Sequence, residues 1–352
     1  MVKITINENV TKLKEKSKAK NTQDKYEGDW LKFIDYCKNK YNCNPLDVDD
    51  LDSAYALTAN YMDWLHEDPE AKMLKGSSNI PGREKVNNNP YSSSAYKAST
   101  IQRILASITY KYRLNNFQFD RKNPNIAETI SAIIRDEKNL KSGQAKEILK
   151  ADIEKIIDSI PIDSEDFRNI RDKALILMGF YSFCRRSELL GMKYEQLHFG
   201  NDGIKVLIPF SKTDQTGEGR MIFLPATNDN YCPVKSLNNW LEVARIDNGA
   251  LFYKINKSNT IEKYTMNQKN QKVSLNDASF VLILKKRAGS AGLEDCDKIS
   301  GHSLRIGSIT QARMNGVPTH EIMAQSGHKT TQMIDRYTKL SNIRETSAAK
   351  KI

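Results

Sequence analysis

Apolar residues recur at helical spacing along most of the chain. Tyr26, Trp30, Phe33, Ile34 and Cys37 share one face over 22–40, and Leu57, Tyr61, Trp64 and Leu65 share another over 52–66. A third period, Ile101, Ile104, Leu105, Ile108 and Tyr112, follows Ser99, which the pattern places at the N-cap. Its polar side carries Gln102, Arg103, Lys111 and Arg113. A fourth helix is predicted over about 125–137, just after Pro124. Residues 72–98, with Gly76, Pro81, Gly82 and runs of three Asn and three Ser, form a long polar connection. The stretch from Lys138 to Gln144 has no apolar period and reads as a linker, so a boundary is expected near residue 140.

Beyond it the pattern predicts helices near 151–160 and 167–181, then a change of period. Asn201-Asp202-Gly203 is a turn signal, and Ile204–Phe210 alternates as a strand does. A loop over 211–219 leads to a further strand, Arg220–Leu224, and Gln196–Phe199 supplies a third. Helices resume at about 234–244, 276–291, 303–314, 319–326 and 331–338. The expected fold is mainly α, with a helical N-terminal domain over 1–140. A mostly helical domain with a small antiparallel β-sheet is expected over 141–352. No internal repeat is visible.

Composition narrows the function. The chain has 54 Lys+Arg against 43 Asp+Glu, a formal charge of +11, and a Lys-rich lead-in over 7–20. Such an excess favours a polyanionic partner. The first 140 residues carry only +3 of it, so most belongs to the second part. No stretch approaches the ~20 apolar residues needed to cross a bilayer, and the first residues lack a signal-peptide pattern, so a cytoplasmic location is expected. The five cysteines are scattered, forming neither a disulfide framework nor a paired zinc motif. Neither a P-loop nor a dinucleotide fingerprint is present.

Four places could carry chemistry. His302 and Arg305, in Gly301-His302-Ser303-Leu304-Arg305, share a face at a helix start, where exposed N–H groups favour anions. Arg185 and Arg186, in an apolar helical stretch, need a fixed anionic partner; Glu188 can serve Arg185, or can orient either arginine towards phosphate. Lys212 stands in the hairpin loop Ser211-Lys212-Thr213-Asp214. Finally, Gly327-His328 is followed nine residues later by Tyr337. Each alone has a bland reading: a capping histidine, a surface ion pair, a solvated lysine, a core tyrosine. The pair of helices joined through Asn315-Gly316-Val317-Pro318 also fits a non-catalytic helix–turn–helix regulator.

Taken in order, Arg185-x-Ser187-Glu188-Leu189, the hairpin Ser211-Lys212-Thr213-Asp214, His302-Ser303-Leu304-Arg305, Gly327-His328 and Tyr337 resemble the motif set of the tyrosine recombinases, the phage integrase family, in its simple two-domain, Cre-like form. The resemblance covers most of the chain, including Ser99–Ile108 as part of a helical core-binding domain. It implies that Arg185 and Arg305 hold a scissile DNA phosphate, with His302 and His328 completing the pocket and Glu188 supporting it. Tyr337 would attack phosphorus to give a 3′-phosphotyrosyl link, and Lys212 would protonate the leaving 5′-oxygen. The reaction would need neither ATP nor metal, and the protein would act as a tetramer on duplex DNA. Gln102, Arg103, Lys111 and Arg113 are the candidate DNA contacts of the first domain. A type IB topoisomerase would use similar chemistry without exchanging partner strands.

Overall fold

A computed structural model of the chain describes residues 20–68, 71, 96–139, 145–161, 165–209, 219–262 and 274–335. The basic lead-in, most of the polar connection, the hairpin loop with Lys212 and the segment with Tyr337 lie outside the described residues. The chain divides into two compact units between Ser142 and Gly143.

Among the described residues, four helices make the first unit: α1 (Lys20–Tyr41), α2 (Leu51–Glu67), α3 (Ala98–Leu114) and α4 (Pro124–Asn139). Their apolar faces converge on an aromatic core in which Phe33, Tyr61, Tyr112 and Phe119 are buried. The Tyr112 ring stacks on Phe119 at 4.9 Å and meets Trp30 edge-on at 5.5 Å. Large rings give a small helical unit much buried area per residue. Asp50 caps α2 by accepting from the Ser53 N–H at 2.7 Å. Ser99, by contrast, is no cap. The Lys97 carbonyl already accepts from the Thr100 and Ile101 N–H groups at 2.8 and 3.0 Å. The helix therefore starts at Ala98, whose buried methyl group extends the apolar stripe by one position.

The polar side of α3 is partly committed to α1. Arg103 pairs with Asp29 and Lys111 with Glu27. Arg113 donates from Nε to the Phe119 carbonyl at 3.2 Å, while Gln102 is exposed.

The second unit holds α5 (Lys150–Asp158), α6 (Phe167–Tyr181), α7 (Arg186–Leu190), α8 (Pro233–Val243), α9 (Asp277–Ser290), α10 (Ser303–Met314) and α11 (Thr319–Ser326). Residues 331–335 are helical again. Strands β1 (Leu197–Phe199), β2 (Gly203–Ile208) and β3 (Arg220–Pro225) form an antiparallel sheet in sequence order, with Val206 opposite both Leu197 and Ile222. Ile204, Val206 and Ile208 point inward, as the alternation predicts. A two-residue ladder, β4 (Lys254–Ile255) with β5 (Ile261–Glu262), was not foreseen because elements so short leave no alternation. At the centre lies α6, where residues 174–178 are all buried, so this helix is apolar around most of its circumference. Trp240 of α8 is buried in the same core and donates its indole N–H to the Leu251 carbonyl at 2.8 Å. Helix α10 lies close to the chain before α5: a Cβ on Gly307 would fall 1.8 Å from the Ile148 carbonyl oxygen. Only glycine permits that approach.

One buried charge network ties α6 to α9. Asp172 accepts from Arg171 at 2.7 Å and from Arg287 at 2.8 Å, while Arg287 also donates to Asn169 at 2.8 Å. Asp172→Ala strips the carboxylate from two arginines at once. The expected loss is about 3–5 kcal/mol, read by urea denaturation.

Candidate active site

Helix α6 ends at Tyr181, and the chain turns before α7 begins. Phe183 makes that turn at φ +56°, in the left-handed region, at a cost on the order of 1–3 kcal/mol. The arginines expected inside a helix therefore straddle its start. Arg185 is the N-cap residue and Arg186 the first helical one, and their side chains diverge. Arg186 donates to Asp277, at the start of α9, at 2.6 Å. Arg185 turns to Glu188, donating from Nη1 to Oε1 at 2.7 Å and from its backbone N–H to Oε2 at 2.9 Å.

A second guanidinium shares that carboxylate. Arg220, the first residue of β3, donates from Nη2 to Oε2 at 2.8 Å and from Nη1 to Oε1 at 3.4 Å. Burial opposes ionisation of Glu188, but the bonds from Arg220 and Arg185 outweigh it and hold the carboxyl down to about 2.

Arg305 reaches the same place from the first turn of α10. It is only 1% exposed. Its Nη1 donates to the Phe183 carbonyl at 2.6 Å, and its Nη2 meets His328 Nε2 at 2.9 Å. Its Nε is buried without a partner, and no carboxylate among the described residues pairs with it. Burial, and then the repulsion of Arg185, push this guanidinium down to about 10, still protonated at neutral pH. A fully buried cation whose terminal nitrogens meet, among the described residues, a carbonyl and an imidazole but no carboxylate is costly unless an anion joins it.

His328 follows Gly327, whose φ of +70° ends α11 in a left-handed cap. Burial, then Arg305 and Arg185, push its imidazole down to about 4. The ring is thus neutral at pH 7. Accepting from Arg305 on Nε2, it carries its proton on Nδ1 and donates to Ser326 Oγ at 2.8 Å. His302 stands at the rim, just before α10. Its ring is also held below the usual range, by partial burial and then by Arg305, Arg185 and Arg186. Arg185, Glu188, His302, Arg305 and His328 thus converge in one positively charged pocket. Such a pocket stabilises charge building on the oxygens of a phosphodiester. Lys212 and Tyr337 belong to segments outside the described residues.

The phage integrase family matches residues 140–344, more than half of the chain. This chain belongs to that family. It is a tyrosine-type site-specific DNA recombinase, an enzyme that breaks and rejoins DNA. It is 32% identical over 334 residues to the integrase/recombinase xerD homolog of Selenomonas ruminantium, covering 94% of this chain and 84% of that protein. The fold of the recombinase is similar to that of the XerH site-specific recombinase bound to a palindromic difH substrate, in a post-cleavage complex. That match has a TM-score of 0.59 and 17% identity over 93% of this chain and 78% of the other. It is also similar to the Tn1549 transposon integrase in complex with transposon right end DNA, with a TM-score of 0.54 and 14% identity over 94% and 92% of the two chains. No helix among the described residues is long and apolar enough to cross a membrane.

Three residues of this recombinase's pocket escaped the sequence reading. Arg220 stands at the start of a predicted strand, with no role assigned to it. Ser326 Oγ accepts from His328 Nδ1 at 2.8 Å and so holds the ring whose tautomer Arg305 fixes. Gln325 donates to the Phe223 carbonyl at 2.9 Å and to the Tyr181 carbonyl at 3.2 Å, tying the His328 turn to edge strand β3 and the end of α6. A serine or glutamine at a helix end carries no signal of such a role.

The depressed histidine has a consequence for stability. An unfolded histidine titrates near 6.5, whereas His328 titrates at about 4 in the fold. Between those values the unfolded chain binds more protons, so its contribution is complete above pH 6.5 and lost as pH falls towards 4. His302 acts with the same sign. Urea denaturation at pH 7.0 and 4.5 checks this: His328→Asn loses less stability between the two pH values than the wild type.

Proposed function

We propose that this recombinase holds the scissile phosphate of duplex DNA between Arg185 and Arg305, with His302 and His328 closing the pocket and Glu188 orienting Arg185. Tyr337 is the nucleophile. It loses its phenol proton to a neutral imidazole of the pocket and attacks phosphorus, the phosphorus–O5′ bond breaks, and Lys212 gives its proton to the leaving 5′-oxygen. Attack by the 5′-hydroxyl of a partner strand reverses these steps, so strand exchange needs neither ATP nor metal. Exchange between two duplexes needs four strand cleavages, which a tetramer on DNA supplies with one tyrosine each.

The observation that carries this reading is Arg305, buried to 1% exposure with no carboxylate partner among the described residues and an orphaned Nε. A phosphate oxygen would satisfy both charge and donor. In the first unit, Gln102 and Arg113 can meet DNA without breaking an ion pair. Arg103 and Lys111 must exchange Asp29 and Glu27 for phosphates. Backbone contacts of this kind weaken steeply with salt.

The test is a nicked suicide substrate that lets the 5′-hydroxyl fragment diffuse away. Incubation in excess chelator is expected to trap a denaturation-resistant protein–DNA adduct. Specific binding with no adduct under any condition would leave only a regulator. Relaxation of supercoiled DNA without partner-site exchange would identify topoisomerase-like chemistry instead.

A further inference from the structure

We infer that Arg220 is a positioning residue for strand cleavage, acting through Glu188 to keep Arg185 available to the phosphate. The inference rests on the phosphate pocket proposed above. Glu188, with a side chain 7% exposed, receives four hydrogen bonds from two of the described residues, Arg185 and Arg220. Arg220 spans both oxygens with its two terminal nitrogens, the fork geometry in which a guanidinium binds a carboxylate most strongly. Arg185 then spends only Nη1 and its backbone N–H on Glu188, leaving the rest of its guanidinium for a ligand.

Charge points the same way. Arg185 and Glu188 alone would form a neutral pair, and a neutral pair attracts phosphate weakly. With Arg220 added, the three groups carry a net positive charge, and the carboxylate is shared instead of claimed by Arg185. Arg220 is itself well enclosed, with a side chain 16% exposed. Its Nη2 lies 3.6 Å from the Cys184 sulfur, and its Nη1 would sit 2.8 Å from a Cβ on Gly327. It therefore fills the space between the α6–α7 turn, the start of β3 and the turn that carries His328. Its Nε is buried without a partner, but its terminal nitrogens are committed to Glu188 and Cys184 and its charge is matched by a carboxylate, unlike that of Arg305, so it acts on the phosphate pocket through Glu188.

Single-turnover cleavage of the nicked suicide substrate at saturating DNA tests this, using the full chain. Arg220→Gln is expected to slow adduct formation about 10–100-fold, the range typical for removing a supporting hydrogen-bond partner, with its dissociation constant for the DNA site nearly unchanged. Arg220→Lys keeps the charge but cannot span both oxygens, so it is expected to recover part of the lost rate. It also carries the test if the glutamine variant does not fold. The decisive comparison is the double variant Arg220→Gln/Glu188→Gln, which should be no slower than Glu188→Gln alone, because both substitutions cut one chain of contacts. Multiplying losses in the double variant, a wild-type rate in Arg220→Gln, or a folded but wholly inactive Arg220→Lys would each overturn the inference. If the wild type forms no adduct, or forms one that persists in Tyr337→Phe, the underlying pocket assignment fails instead.

Discussion

With phenylalanine at position 337, the recombinase is expected to bind its DNA site and leave no denaturation-resistant adduct. The substitution removes one oxygen and nothing else, so DNA affinity and thermal stability should stay near those of the wild type. A free phenol has a pKa near 10 and is a poor nucleophile at neutral pH. Its attack therefore depends on the positive potential of Arg185 and Arg305 and on a group that accepts its proton. Without the oxygen there is no covalent route, and the loss is complete. Denaturing electrophoresis of the suicide-substrate reaction reads it directly. An undiminished adduct would move the nucleophile to another residue.

Arg305→Gln is expected to lower the single-turnover rate of adduct formation by about 10³-fold. Removing a single preorganised donor from a charge-stabilising site costs about 10²–10³, and Arg305 brings a full charge in addition to its donors. Its burial makes the effect large, because a charge that solvent cannot screen acts more strongly on the phosphate. The same burial predicts an opposite trend in stability. The guanidinium has no counter-ion among the described residues, so the apoprotein bears its desolvation cost. A neutral amide relieves that cost and can still donate to the Phe183 carbonyl. Stability measured by urea denaturation should thus fall by no more than about 1 kcal/mol, while activity falls a thousandfold. A parallel collapse of both would show that Arg305 is a structural arginine.

The helices were legible because most present a continuous apolar stripe to a core within their own unit. The periods around Trp30, Tyr61 and Ile108 and the fully apolar run at Leu175 register in any short window of sequence. The alternation at Ile204, Val206 and Ile208 marked the sheet in the same way. Misjudged features were local breaks decided by distant partners. Arg185 and Arg186 read as helical because Phe183 gives no hint of a left-handed turn, unlike a glycine. That turn is held by Arg305, which is 122 residues away along the chain and donates to the Phe183 carbonyl. Ser99 looked like a cap, yet the buried Ala98 drew the helix start back past it.

By itself, the sequence determined the helical periods, the small sheet and the ordered motifs that mark a tyrosine recombinase. These depend on residue type and spacing, which survive in a linear string. The tertiary structure alone decided which charges meet. It sent Arg186 to Asp277, gave Glu188 to both Arg185 and Arg220, and left Arg305 buried without a carboxylate among the described residues. The reason is physical. Charge pairing and desolvation depend on distances of a few ångströms between segments far apart in the chain, and a one-dimensional pattern does not encode those distances.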